Sequence, residues 1–211
     1  MSAALALRND PSGKEAITTG RTRAVLERIR RPDVHLAIWQ REGACVVPDL
    51  DWDTIEDIDE NIDVDRLAST IPEVMATAGY PVDAPAIVTF GTEMAALAAY
   101  FATFMACDRL RLRLDVIETD ACRKFHADQV TARLLMPLVG PGTQWMRAGI
   151  VPAVPEGQLR PGDVGVFKGR IWAEEPLILH RSPPIAETGM TRLLLVIDPL
   201  GRDMTALSDR A

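Results

Sequence analysis

Arg109-Leu110-Arg111-Leu112-Arg113-Leu114-Asp115-Val116 alternates strictly between charged and apolar residues. Side chains along a strand point to opposite faces in turn, so this is a half-buried strand with its leucines inward. Strand signals continue downstream at Arg133 to Val139, Thr143 to Met146, Asp163 to Phe167, Leu177 to His180 and Arg192 to Asp198. Turn signals separate them: Gly140-Pro141-Gly142, Arg160-Pro161-Gly162-Asp163, Lys168-Gly169 and Ser182-Pro183-Pro184. Upstream of residue 109 the periodicity is mainly helical. The sequence therefore predicts an α+β fold, a double-stranded β-helix (jelly-roll or cupin-like) core over 109–211. The helices of residues 21–108 should pack outside it, forming one domain over 21–211.

Residues 1–20 are small, polar and punctuated by Gly and Pro, and read as a flexible lead-in. Val25, Leu26 and Ile29 lie at helical spacing among arginines, and Pro32 ends that helix. Leu36-Ala37-Ile38-Trp39 reads as a strand or a first helical turn, with His35 at its edge as a capping or surface histidine. Nine of the seventeen positions 49–65 are acidic. Asp49, Asp51, Asp53, Asp57 and Glu60 follow calcium-loop spacing, but Thr54 stands where the sharp turn needs Gly. The stretch is read instead as an acid-rich helix start, since carboxylates favour helix N-termini. Leu67, Ile71, Val74 and Met75 give the following helix its buried face. Ala86 to Phe90 reads as a short strand, and Gly91-Thr92 as the start of a buried helix over 93–107.

The chain has 211 residues, 47% hydrophobic and 25% charged, with a net charge of -7. That acidity excludes a general phosphate-backbone binder. Cys45, Cys107 and Cys122 are odd in number and widely spaced, which gives no disulfide framework and fits the cytoplasm. No signal-peptide pattern opens the chain, and no stretch approaches the ~20 apolar residues that cross a membrane.

Chemistry concentrates in Cys122-Arg123-Lys124-Phe125-His126-Ala127-Asp128. In extended backbone His126 and Asp128 face the same way. Of the two other histidines, His180 lies fifty-two residues beyond Asp128 in the same β-rich half, and Arg192 opens the next strand. Two imidazoles and one carboxylate on one face of a metal form the non-haem Fe(II) triad, with positions left open for a chelating cosubstrate and dioxygen. A buried Arg suits the far carboxylate of a 2-oxo acid, because its planar fork binds two oxygens at once. Arg133 is placed to assist or replace Arg192, or to sit salt-bridged at a strand edge. Arg181, Ser182 and Trp145 are candidate substrate contacts, although Ser182-Pro183-Pro184 also reads as a turn and Trp145 and Phe125 as core.

This order resembles the Fe(II)/2-oxoglutarate-dependent oxygenases, where a His-x-Asp follows an early core strand and a distal His and a strand Arg come later. The resemblance implies His126, Asp128 and His180 as metal ligands, Arg192 as the 2-oxoglutarate anchor, and a small-molecule or protein substrate. Residues 120–128, Gly140 to Trp145, Gly162 to Gly169 and His180 to Pro184 resemble the bacterial domain-of-unknown-function family 1826. That likeness names no reaction, and it implies a role in zinc homeostasis. Cys122 keeps a second arrangement open. A thiolate with two histidines favours zinc, with Asp128 behind them, in a non-enzymatic metal-handling protein.

Overall fold

The computed structural model describes residues 16–42, 47 and 50–201. Along the chain run strand β1 (Ile17–Gly20), a 3-10 helix (Arg23–Arg30), β2 (Leu36–Trp39) and β3 (Ile58–Asp63). Helices α1 (Leu67–Thr77) and α2 (Pro85–Met105) follow, then β4 (Arg109–Ile117), β5 (Ala132–Val139) and β6 (Gln144–Arg147). The last strands are β7 (Gly157–Gln158), β8 (Val164–Lys168), β9 (Ile178–Arg181) and β10 (Arg192–Leu200). A seven-stranded sheet has the order β1-β2-β8-β5-β10-β4-β3, and a three-stranded sheet the order β7-β6-β9. Apart from the parallel pair β1–β2, neighbours in the large sheet are antiparallel. The fold is thus mixed α+β around a large, mainly antiparallel sheet.

Both faces of that sheet are covered, which explains the uninterrupted apolar run of the interior strand β10, Leu193 to Ile197. Leu110, Leu112, Leu114, Leu134, Leu193 and Leu195 pack with α1 and α2 side chains in the main core. On the opposite face Leu135, Leu194, Val196 and Phe167 meet Ile178 of β9 and Leu159, with Trp145 of β6 against them. The leucines of β4 point inward as expected. Their charged neighbours point toward the side where the small sheet lies.

Several expectations change. The segment read as a helix before Pro32 is a 3-10 helix, and residues 17–20 form an edge strand inside the segment read as a lead-in. The N-terminal half contributes three strands as well as helices. Residues 58–63, read as part of an acid-rich helix start, form a strand. Their charge complements the arginines of β4: Asp59 pairs with Arg111 and Asp63 with Arg109 across the edge. Cross-strand pairs of opposite charge favour that pairing, and Ile58 and Ile62 still reach the core.

Residues 86–90 are helical, not a strand. Pro85 suits the first helical turn, and Ile87, Phe90, Met94, Leu97 and Phe101 fall in phase on one buried stripe. That phase, continued over 21 residues, outweighs the local β-branched composition. At this length, and with a mean hydropathy of 1.4, α2 also meets the dimensions of a bilayer-crossing helix, against the sequence expectation. Here its stripe packs in the main core.

His35 is buried rather than at the surface, at 8% exposure. Its Nδ1 accepts the Leu177 amide at 3.1 Å. Burial, then the nearby Lys168 charge, lowers its pKa to about 4. Unfolded histidine takes up a proton near 6.5, so between these values the unfolded state binds more protons. Stability is therefore lost as pH falls from about 6.5 toward 4. In urea unfolding, His35→Asn, whose amide oxygen can accept the same bond, should weaken this slope relative to the native chain. Identical slopes would show that His35 carries none of it.

Candidate metal centre

Two backbone hydrogen bonds build the site. His126 N–H donates to His180 O at 3.0 Å and His180 N–H donates to His126 O at 2.9 Å. This reciprocal exchange is the hydrogen-bonded antiparallel pair, which sets two side chains side by side. The imidazole rings lie 4.8 Å apart, and the Phe167 ring lies 4.8 Å from that of His180. The chain before His126 is tied to the same strand, because Ser182 N–H donates to Cys122 O. Asp128 is held through its backbone carbonyl, which accepts Arg170 N–H.

His126 Nδ1 lies 2.8 Å from Lys124 O. A carbonyl can only accept, so Nδ1 carries the proton and the neutral ring presents its Nε2 lone pair. That Nε2 is 3.6 Å from Asp128 Oδ1, and His180 Nε2 is 3.0 Å from Asp128 Oδ2. Asp128 Oδ2 is buried and accepts no well-aligned hydrogen bond from the described residues. Donor atoms of His126, Asp128 and His180 all lie within 4.8 Å of one another, the one such group among the described residues. With its proton on Nδ1, His180 offers an Nε2 lone pair as His126 does, and three lone pairs converging this closely repel one another until a cation sits between them. The donor set of two nitrogens and one carboxylate oxygen fits a divalent first-row metal.

Charge behaves accordingly. Burial alone would raise Asp128, but contacts with the His126 and His180 rings and the Arg133 charge hold it well below the usual carboxylate range. The Asp128 carboxylate raises His126. Burial pushes His180 down and keeps it neutral.

A cleft of about 790 Å³ opens beside the donors, lined by His126, His180, Ser182, Thr143, Arg133 and the outward face of β4. Arg192 is only 1% exposed. Its Nε donates to Pro141 O at 2.6 Å and its Nη1 to Ser182 Oγ at 2.9 Å, while Nη2 is buried with no partner among the described residues. Gly140, at φ +73, and Gly142, where a Cβ would lie 1.7 Å from Leu159 O, allow the turn that presents Pro141 O.

Arg133 lies elsewhere in the site: it pairs with Asp128 and grips Asp198. Arg181 lines the cleft, donates to Gln144 Oε1 at 2.8 Å and lies over the Phe125 ring. Trp145 packs against Gly157 and the core between the sheets, away from the cleft wall. Cys122 is exposed at the rim, with φ +58, outside the group of three donors. Cys45 and Asp49 fall outside the described residues. Sequence reasoning missed Asp198 and the cleft-facing Arg113 and Asp115. A period-two count would have found Asp198, which stands on the face of β10 shared by Arg192, Leu194 and Val196.

The pattern of a family described as a protein of unknown function, DUF1826, matches residues 20–198. The chain belongs to the DUF1826 family. No curated protein matches this DUF1826 chain in sequence. It is similar in structure to the dioxygenase for auxin oxidation of rice, at 14% identity and a TM-score of 0.48, over 84% of this chain and 78% of that one. A 2-oxoglutarate complex of the Arabidopsis thaliana dioxygenase for auxin oxidation aligns at 15% identity and 0.46, over 76% and 68%. A Pseudomonas putida prolyl-4-hydroxylase aligns at 15% and 0.43, over 85% and 94%.

Protonated His126 cannot ligate, so divalent-metal binding should weaken as pH falls through its raised pKa. Mn(II) titrations from pH 8 to pH 6 should show affinity dropping toward about tenfold per unit below that pKa. His126→Ala should bind at least about tenfold more weakly at pH 8 and lose most of the slope. A flat profile in the native chain would contradict the assignment of His126 as a ligand.

Proposed function

We propose that this protein is an Fe(II)- and 2-oxoglutarate-dependent oxygenase on a double-stranded β-helix core, acting on a small molecule or a protein side chain. The observation that carries the reading is Arg192. A buried guanidinium with no carboxylate beside it is costly, and its free Nη2 asks for an anion. Ser182 lies two residues past the ligand His180 and lines the cleft while holding Arg192. An acid reaching from the metal donors toward Ser182 would therefore meet the guanidinium at its far end.

In this reading His126, Asp128 and His180 hold Fe(II), and Arg192 with Ser182 takes the distal carboxylate of 2-oxoglutarate. Once bound, the metal and cosubstrate supply oxidation by dioxygen, with 2-oxoglutarate decarboxylated to succinate. The chain's own part is to hold the donors rigidly, fix the cosubstrate at both ends and leave the cleft open on the β4 side for a substrate. Burial of Arg192 strengthens its pull on the carboxylate by removing competing water. Zinc bound with Cys122 gains no support from an exposed thiol outside the donor group.

Anaerobic addition of Fe(II) and then 2-oxoglutarate should produce a weak visible charge-transfer band. Arg192→Met should weaken 2-oxoglutarate binding by ~2–5 kcal/mol, while leaving the melting temperature of the metal-free protein equal or higher, since it removes an uncompensated charge. Metal binding without the band would sink the cosubstrate assignment. Metal analysis of anaerobically purified protein that finds zinc, lost equally in Cys122→Ser and His126→Ala, would favour the metal-handling alternative.

A further inference from the structure

The two oxygens of Asp128 have different surroundings. Oδ2 faces His180 and accepts no well-aligned hydrogen bond from the described residues, whereas Oδ1 lies 2.5 Å from Arg133 Nη1. The other two nitrogens on the same fork, Nε and Nη2, donate to Asp198 Oδ1 and Oδ2 at 2.8 and 2.7 Å. All three side chains are withdrawn from solvent, at 14% exposure for Asp128, 15% for Arg133 and 5% for Asp198. Arg133 stands on β5 and Asp198 on β10, neighbours in the large sheet. Two parallel bonds from a planar fork leave the guanidinium no freedom to rotate. Its remaining edge then points at one oxygen of Asp128.

We infer that Arg133, fixed by Asp198, is a positioning residue that occupies Asp128 Oδ1 and so commits Oδ2 alone to the metal. A carboxylate tied in this way ligates through one oxygen and cannot swing to chelate. That keeps the remaining positions on the metal open to other ligands. The charges agree with the role: two carboxylates and one guanidinium leave one net negative charge at the donor group. A lysine would preserve that charge but not the fork, because a single ammonium cannot hold both carboxylates in fixed planes. The inference rests on the proposed metal-dependent function and adds to it the device that sets how the carboxylate binds.

Arg133→Lys and Asp198→Asn separate geometry from charge. Mn(II) affinity measured by the signal of free Mn(II), and the visible spectrum of the Co(II)-loaded protein, are both read without turnover. Each variant should bind Mn(II) about 10–100-fold more weakly, and the Co(II) bands should shift as the carboxylate changes its mode of ligation. The double variant should cost little more than either single one, because both changes break one unit. A merely structural role would lower the melting temperature of the metal-free protein and leave metal affinity and Co(II) bands unchanged, which overturns the inference. Native affinity and spectrum in Arg133→Lys alone would overturn it too. A native protein that binds no divalent ion overturns the proposed function itself, and this inference with it.

Discussion

The reciprocal backbone exchange between His126 and His180 is the constraint on which the rest of the site depends. Residues fifty-four apart in sequence become neighbours whose side chains must emerge together on one side. Everything chemical is set relative to that pair. Asp128 follows His126 by two residues, and Ser182 follows His180 by two. The carboxylate and the hydroxyl that braces Arg192 therefore inherit their positions from the same exchange. His180 stands on β9, and the bridge ties the loop that carries His126 and Asp128 to that strand, so the donors are held in place before a metal arrives.

Two arginines, one buried and one half-buried, show how differently one residue type can be used within one site. Arg133 lies between two carboxylates and is fully compensated. Among the described residues Arg192 meets a carbonyl and a hydroxyl, and burial pushes its pKa down. The first arrangement stabilises the fold as it stands. The second leaves the protein less stable than it would be with an anion in place, a gap that ligand binding can close.

The strand half was legible because its periodicity is unambiguous. Alternation at Arg109 to Val116 and the turn residues between later strands left few other readings. His126, Asp128 and His180 were legible because histidine is scarce in this chain, so the pairing had few candidates. The partner of Arg133 was not legible, since a choice between Asp198 and a cosubstrate depends on strand order. Nothing local places β10 between β5 and β4. The readings of 58–63 and 86–90 failed for a related reason. Acidic residues form a strand where a neighbouring strand supplies arginines, and a β-branched run turns helical where its apolar residues share the phase of a long helix. Both depend on what lies alongside, which local propensity does not encode.

Strand order also dictates when the site can exist. The strand between β4 and β5, in the heart of the large sheet, is β10, drawn from residues 192–200. Until it emerges during synthesis, β4 and β5 have no common neighbour, and neither Arg192 nor Asp198 is available. Contacts between residues so far apart in sequence form slowly. The guanidinium and the carboxylate that flank the donor group therefore come into place only once residues 192–200 have entered the sheet, by long-range pairing rather than local folding.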